Sequence, residues 1–422
     1  MLRIINNNFI TEKRLKNYPR VIFVVTWVSI LFKLIFHKGW SGAFGQILAT
    51  DFVTFYSAGQ IYRFNIENLY NPEYQFNVQQ ALIYPTTLPG VNFFVNPPYV
   101  AFAYSLLIGF SLPAALAIWY LLTFSFVILA LRLISQFIPA NMRDSSLSPG
   151  RLLIILLSWY PFVSGLQSGQ NHGLSLLLVS GILLFTLKEK WLLAGILAGL
   201  LIYKPQFCLG FLIVWLVWRQ YKPVIVFAIV ACMWAGITIY QHGLSPFLDF
   251  LSLSNLLVIL PYVDGFPNYL MLTPYSLLAS IFPSSISPII QQVTLLLSLA
   301  MTVFLAWAAY RVRRKPMNEI ERGEVLLLAL IFPLVSTPYA LIYDLVILIP
   351  GMVLWANSWP SRALLRISAA LYLGAFILPA ISYGVGIALL ATIPISLAII
   401  LIYRITNGRK VGEGKTTHVL VE

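Results

Sequence analysis

Apolar runs separated by short, mostly basic turns make up most of the chain, and one stretch breaks the pattern. The runs fall near residues 20–36, 114–138, 151–166, 172–187, 190–203, 205–219, 222–241, 285–311, 323–335, 339–357, 363–378 and 382–403. Read as membrane crossings, which need roughly 20 apolar residues each, they predict an all-α polytopic bundle of about 12 helices. Two further apolar runs, Pro97–Phe110 and Thr273–Pro283, are too short to span and read as half-helices or interfacial segments. The exception is Thr50–Tyr99, which is long, aromatic and polar, poor in Lys and Arg, and opens on a lone carboxylate, Asp51.

Composition agrees with that pattern. Of the 422 residues 59% are hydrophobic and only 10% are charged, where a soluble domain carries about 25%, and the mean hydropathy is +0.84. The net charge of +13 raises nucleic acid as a partner, but its placement argues against one. All but four of the 27 Lys and Arg lie in alternate turns, the asymmetry expected of cytoplasmic loops. Both termini are then cytoplasmic: a short segment over 1–20, a transmembrane unit over 21–403 with a long outer loop at 37–96, and a tail over 404–422. Nearly uncharged outer turns fall at Gln167–Asn171, Ser336–Pro338 and Pro379–Ser382. The first apolar run reads as a retained helix, since the N-terminal segment MLRIINNNFITEKRLKNYPR shows no small-residue cleavage site and a polar loop follows the run. Cys208 and Cys232 both sit inside apolar runs, which argues against a disulfide framework.

This topology gathers Asp51, Gln170, Asn171, His172, Lys204, Asp249, Asp264 and Asp344 at the outer ends of helices or in outer loops. Ionisable groups are expensive in a bilayer, so one polar pocket at the outer face is the simplest reading. Each candidate has a plainer explanation beside it. Asp51 could cap an amphipathic surface helix over 51–64, and the aromatic and amide residues of Asn65–Gln75, read as a loop with an Asn-Pro turn, could anchor at the interface. The turn GLQSGQNHG could be a tight hairpin, although Gln170, Asn171 and His172 offer donors in a row. Lys204 could snorkel to water or act as a point charge for phosphate. Asp344, beside Tyr343, could simply sit at a helix N-terminus, and solvation explains Asp249 and Asp264. The four histidines show no zinc spacing, and no nucleotide-binding or GxSxG motif occurs.

Five elements occur in one order: Asp51 with Tyr56 and Leu69-Tyr70; FFVNPPY at Phe93–Tyr99; Gly169-Gln170-Asn171; AGILAGLLIYKP at Ala194–Pro205; and PYALIYD at Pro338–Asp344. The ordered set resembles a GT-C superfamily glycosyltransferase, specifically glycosyltransferase family 87, which includes polyprenol-phosphate-mannose-dependent mannosyltransferases of bacterial envelope lipids. The resemblance covers roughly residues 50–345. It implies a GT-C-type bundle whose outer loop is catalytic and carries interfacial helices. It also implies inverting transfer of a hexose such as mannose from polyprenyl-phosphate to a lipid or glycan acceptor on the extracytoplasmic face of the cytoplasmic membrane. Asp51 is then the general base. Lys204, followed by Arg63 and His172, would meet the phosphate, with Gln170, Asn171, Tyr56, Tyr343 and Asp344 lining the substrate site. No metal ligand, cofactor or directly bound nucleotide is expected. The alternative is a multi-spanning transporter or lipid flippase for an envelope precursor; against it, the polar residues gather at one face and no internal repeat is evident.

Overall fold

The computed structural model describes residues 12–43, 45–90, 92–138, 148–253, 258–263, 266–313, 319–356 and 361–407. Asp264, the first eleven residues and the tail from 408 lie outside them. Among the described residues the fold is helical, with isolated β-bridges and no strand.

Among the described residues six helices are long and apolar enough to cross a membrane: Asn17–Ile35, Leu112–Phe137, Tyr221–His242, Ser284–Arg313, Arg366–Val385 and Leu389–Asn407. Each coincides with an expected crossing. The run at 151–166 is instead a pair, Pro149–Ser158 and Tyr160–Ser168, bent by 65°. Trp159 at the break is extended, and Pro161, two residues on, supplies no backbone donor to carry the ladder through. Counted as one span, the pair makes seven. The helices at His172–Leu187, Trp191–Leu200, Gln206–Val217 and Leu348–Trp355 are shorter. The chain breaks them with Lys204-Pro205 and with a six-residue 3₁₀ turn, Ile342–Ile347. The outer turn expected at Pro379–Ser382 falls later: Pro379 lies inside Ser361–Val385, and the chain turns at Gly386, whose φ is +73°.

The outer stretch departs most from expectation. It folds as α1 (Thr50–Phe64), α2 (Pro72–Ile83) and α3 (Pro98–Ser105). Helix α1 is not an amphipathic surface helix: Phe52 through Gly59, with Ile61 and Tyr62, are all buried. Gly59 lets α3 approach, since a Cβ there would lie 2.8 Å from the Ser105 amide nitrogen. Nor is Asn65–Gln75 mainly loop. Asn71 accepts from the Tyr74 amide at 3.1 Å and Pro72 takes the first helical position, so the Asn-Pro pair opens a helix.

Among the described residues two large apolar cores result, with a small third cluster at Tyr275, Ala279 and Ile290. One joins α1, α2, α3 and the start of Leu112–Ile134; the larger runs through the bundle behind it. At the bundle's far end Glu324 pairs with Arg404 and accepts from the Trp355 indole, tying three helices together. Asp51, Gln170, Lys204, Tyr343 and Asp344, all singled out from the sequence, gather where these two cores meet.

Candidate active site

Asp51 enters this junction in the first turn of α1. The residue before the helix, Ala49, is left-handed at φ 50°, and no side chain caps the end. Asp51 is therefore not the cap; its carboxylate faces two amide donors. Asn92 Nδ2 donates to Oδ1 at 2.9 Å and Gln170 Nε2 to Oδ2 at 2.9 Å.

Gln170 is aimed by its turn. Helix α4 (Tyr160–Ser168) ends on Gly169 at φ +74°, with the Gln170 amide bonded to the Gly165 carbonyl and the Gly169 amide to that of Leu166. That is a Schellman closure. A Cβ on Gly169 would also lie 2.6 Å from Phe52 Cβ in α1, so glycine permits both the turn and the approach. The Ala49 amide donates to the Gln167 carbonyl at 3.2 Å and the Trp119 indole to the Gly169 carbonyl at 3.1 Å, fixing the end of α4 to the start of α1 and to the helix Leu112–Ile134.

The network continues from Gln170. The same Nε2 donates to the Tyr343 hydroxyl at 3.0 Å. Lys204 Nζ lies 5.0 Å from the Tyr343 ring centre and 2.6 Å from Asp344 Oδ1, a pair that is almost wholly buried. Asp344 also accepts from the Leu341 amide at 3.0 Å, so it caps its own 3₁₀ turn. The segment before that turn is braced by Thr273, whose hydroxyl donates to the Pro338 carbonyl at 3.1 Å.

Asp51, Gln170, Tyr343, Lys204 and Asp344 thus meet in one network. Asn171 and His172 adjoin it. Asn171 Oδ1 is buried without a partner. The His172 ring is sealed between α4 and α5 (His172–Leu187), edge-on to Phe162, with neither nitrogen bonded. Two expected residues are elsewhere. Arg63 is exposed in the last turn of α1, about 18 Å along the helix from Asp51 at 1.5 Å per residue. Tyr56 is buried but turns away, donating to the Phe110 carbonyl at 2.8 Å. Asp249 is exposed on the short helix Ser245–Ser252. Both cysteines are free.

Electrostatically, burial pushes the Asp51 carboxyl above the ordinary aspartate range, while bonds from Asn92, Gln170 and Ser168 and the Lys204 charge pull the other way. The residue as a whole is only partly buried. Nearby lies an apolar groove of about 220 Å³, lined by Tyr99, Tyr104, Trp119, Leu178, Tyr203 and Trp234, with Asn171 among its walls. The Tyr104 hydroxyl is buried without a partner as well. No cluster of three or more metal-ligating side chains occurs among the described residues.

Asn92 and Tyr104 did not stand out in the sequence. A chemically suitable arrangement emerges all the same: a pinned carboxylate, a buried cation–carboxylate pair reached through Gln170 and Tyr343, and an apolar groove alongside. The model of glycosyltransferase family 87 matches residues 94–337, more than half of the chain. The matched stretch includes Gln170 and Lys204; Asp51, Asn92 and Asp344 flank it. No curated protein and no solved structure matches.

Proposed function

The chain belongs to glycosyltransferase family 87, and from that premise we propose that it moves a hexose such as mannose from a polyprenyl-phosphate carrier to a lipid or glycan acceptor. Asp51 acts as the base. The observation that carries this reading is the Asp51 carboxylate, held at both oxygens by neutral amides where the two cores meet.

Each carboxylate oxygen has a lone pair to spare after one amide bond. As the acceptor hydroxyl oxygen attacks the anomeric carbon, its proton passes to Asp51. The bond from that carbon to the phosphate oxygen breaks, and the bonding pair leaves with the prenyl phosphate. Attack from the face opposite the leaving group inverts the centre. The leaving phosphate needs positive charge more than a proton. Lys204 supplies it, with Asp344 holding the ammonium in place and tempering its charge. The Tyr343 hydroxyl, which accepts from Gln170, keeps its own proton to donate. The apolar groove suits the first isoprene units of the carrier; the Tyr104 hydroxyl can donate to its phosphate end, and Asn171 Oδ1 can accept from a sugar hydroxyl.

The finer topology belongs to the same proposal. The short helices at 172–187, 191–203, 206–217 and 342–355, with Glu319–Ser336, enter the bilayer beside the long ones and the bent pair, for about twelve passages. The Asp51 end faces the extracytoplasmic side and both termini the cytoplasm, as the alternation of basic turns supports.

The test is a donor panel in nanodiscs. Purified protein and a lipid extract receive polyprenyl-phosphate hexoses of long and short chain, or nucleotide sugars. Transfer from the prenyl donors alone is expected. Ala103→Trp, an open position on the groove wall, raises KM more for the long-chain donor than for the short. Transfer from nucleotide sugars, or a donor that only crosses the membrane, contradicts the reading.

A further inference from the structure

Helix α2 carries three glutamines that act on the chain beyond it. Gln75 and Gln79, both at most 2% exposed, lie four residues apart and therefore on one face. Gln79 grips both sides of the Asn92 residue: its Nε2 donates to the Asn92 carbonyl at 2.8 Å, and its Oε1 accepts from the Asn92 amide at 3.2 Å. Gln75 accepts from the Phe94 amide at 2.8 Å and donates to the Leu69 carbonyl at 2.7 Å. The Thr54 hydroxyl of α1 adds a third bond to Asn92, to its carbonyl at 3.2 Å. The extended segment 92–94 has no strand beside it, and the side-chain amides of α2 take the place of one.

What this clamp holds matters. The backbone it fixes belongs to the residue whose side chain donates to Asp51 Oδ1. Burying two glutamines is costly unless each finds its partners, and a single apolar residue at either position would fill the space more simply. Spending the whole Gln79 amide on Asn92, with the Gln75 oxygen on Phe94 two residues on, holds Asn92 with the tight tolerance a general base requires. We infer that Gln79, seconded by Gln75, is a positioning residue that sets the Asp51 carboxylate through Asn92. This rests on reading Asp51 as the base; the clamp itself touches no substrate.

The third glutamine is a built-in control. Gln80 holds the same connection in the same manner, donating to the Thr86 carbonyl and accepting from the Leu88 amide, both at 2.8 Å, but it makes no bond to Asn92. Other groups act on Asp51 from the elements around it: the Lys204 ammonium, and the hydroxyls of Tyr104, Tyr339 and Tyr343. None of them bonds to Gln79, so substitutions there leave those influences in place.

The experiment reads the carboxyl directly. A hydrophobic carbodiimide modifies protonated buried carboxyls. Mass spectrometry of the Asp51 peptide across pH gives the midpoint of labelling in the full-length protein in nanodiscs, with Asp51→Asn as the blank. Asn92→Leu removes a donor to the carboxylate and moves the midpoint up. Gln79→Met, which conserves volume, moves it up in the same direction, and the double variant moves no further than Asn92→Leu alone, the non-additivity of residues acting in series. Gln75→Met, which frees only the Phe94 end, gives a smaller upward shift and serves if Gln79→Met does not fold. Gln80→Met leaves the midpoint where it was. In the transfer assay Gln79→Met lowers kcat about 10- to 100-fold with little change in donor KM.

The inference is overturned by an unmoved midpoint in Gln79→Met (or in Gln75→Met, should that be the variant that folds). An unmoved midpoint in Asn92→Leu overturns it too, as does an equal shift in Gln80→Met, which would mark general loosening of the loop. Retained transfer by Asp51→Asn would remove the base reading alone, since the labelling midpoints stand without it.

Discussion

At Asp51 opposing influences act on one carboxylate. Burial disfavours its charged form and is the largest of them, while two amides, the Ser168 hydroxyl and the Lys204 ammonium favour it; the balance lies above the ordinary range. As pH falls, the proton therefore returns to Asp51 earlier than it would to an exposed aspartate with a pKa near 3.9, and a protonated base cannot accept another. The kcat/KM profile should lose activity on an acid limb whose midpoint lies above about 3.9. A limb at or below that value would contradict the burial. Lys204 and Asp344 pose a different problem, because each compensates the other in a dry setting. Lys204→Met strands the carboxylate, at a cost of about 3–5 kcal/mol. Thermal unfolding in detergent should show a large fall in Tm, with most of it regained in Lys204→Met/Asp344→Leu. Equal losses in both variants would mean the pair is not the source. Asp51, Gln170, Lys204 and Asp344 were legible in the sequence because charged and amide residues are scarce there and cluster at one set of helix ends. Arg63 met the same criterion and stands apart, since scarcity reports nothing about which face or end of α1 a residue occupies.

Among the elements, the long helices were legible and the broken ones were not. Length and apolarity suffice for Leu112–Ile134 or Tyr221–His242. The 65° bend at Trp159 and the 3₁₀ turn at Ile342–Ile347 arise from local backbone choices that hydropathy averages away. Helix α2 was missed for another reason. Asn-Pro marks a turn or opens a helix according to the residues after it, and the glutamines at 75, 79 and 80 read as polar loop until their partners are known. Their spacing was the available signal. At this scale the testable claim is the side on which helix ends emerge. With Cys208 and Cys232 replaced by Ser, single cysteines are introduced at Lys188, after α5, and at Ser245, after Tyr221–His242; neither position is buried. A membrane-impermeant maleimide should label Ser245→Cys in intact cells and Lys188→Cys only after permeabilisation. The reverse pattern would invert the proposed topology.

For the whole molecule, the outer stretch is not a loop laid over a finished bundle. It has a core of its own, and the carboxylate sits at the seam between that core and the helices carrying Gln170, Lys204 and Tyr343. Segments far apart in sequence are brought together by glycine at 169, by amides in place of a strand at 92–94, and by a buried ion pair between 204 and 344. Family membership accounts for glycosyl transfer, and the seam supplies a place for it. The central claim is that the Asp51 carboxylate takes the acceptor's proton there. Its most direct test is sugar transfer from radiolabelled polyprenyl-phosphate-mannose by purified wild type and Asp51→Asn in nanodiscs, with both proteins matched in melting temperature. Loss of a positioned base should lower kcat by about 10²–10⁴-fold with donor KM little changed. Transfer by Asp51→Asn at the wild-type rate would contradict the account.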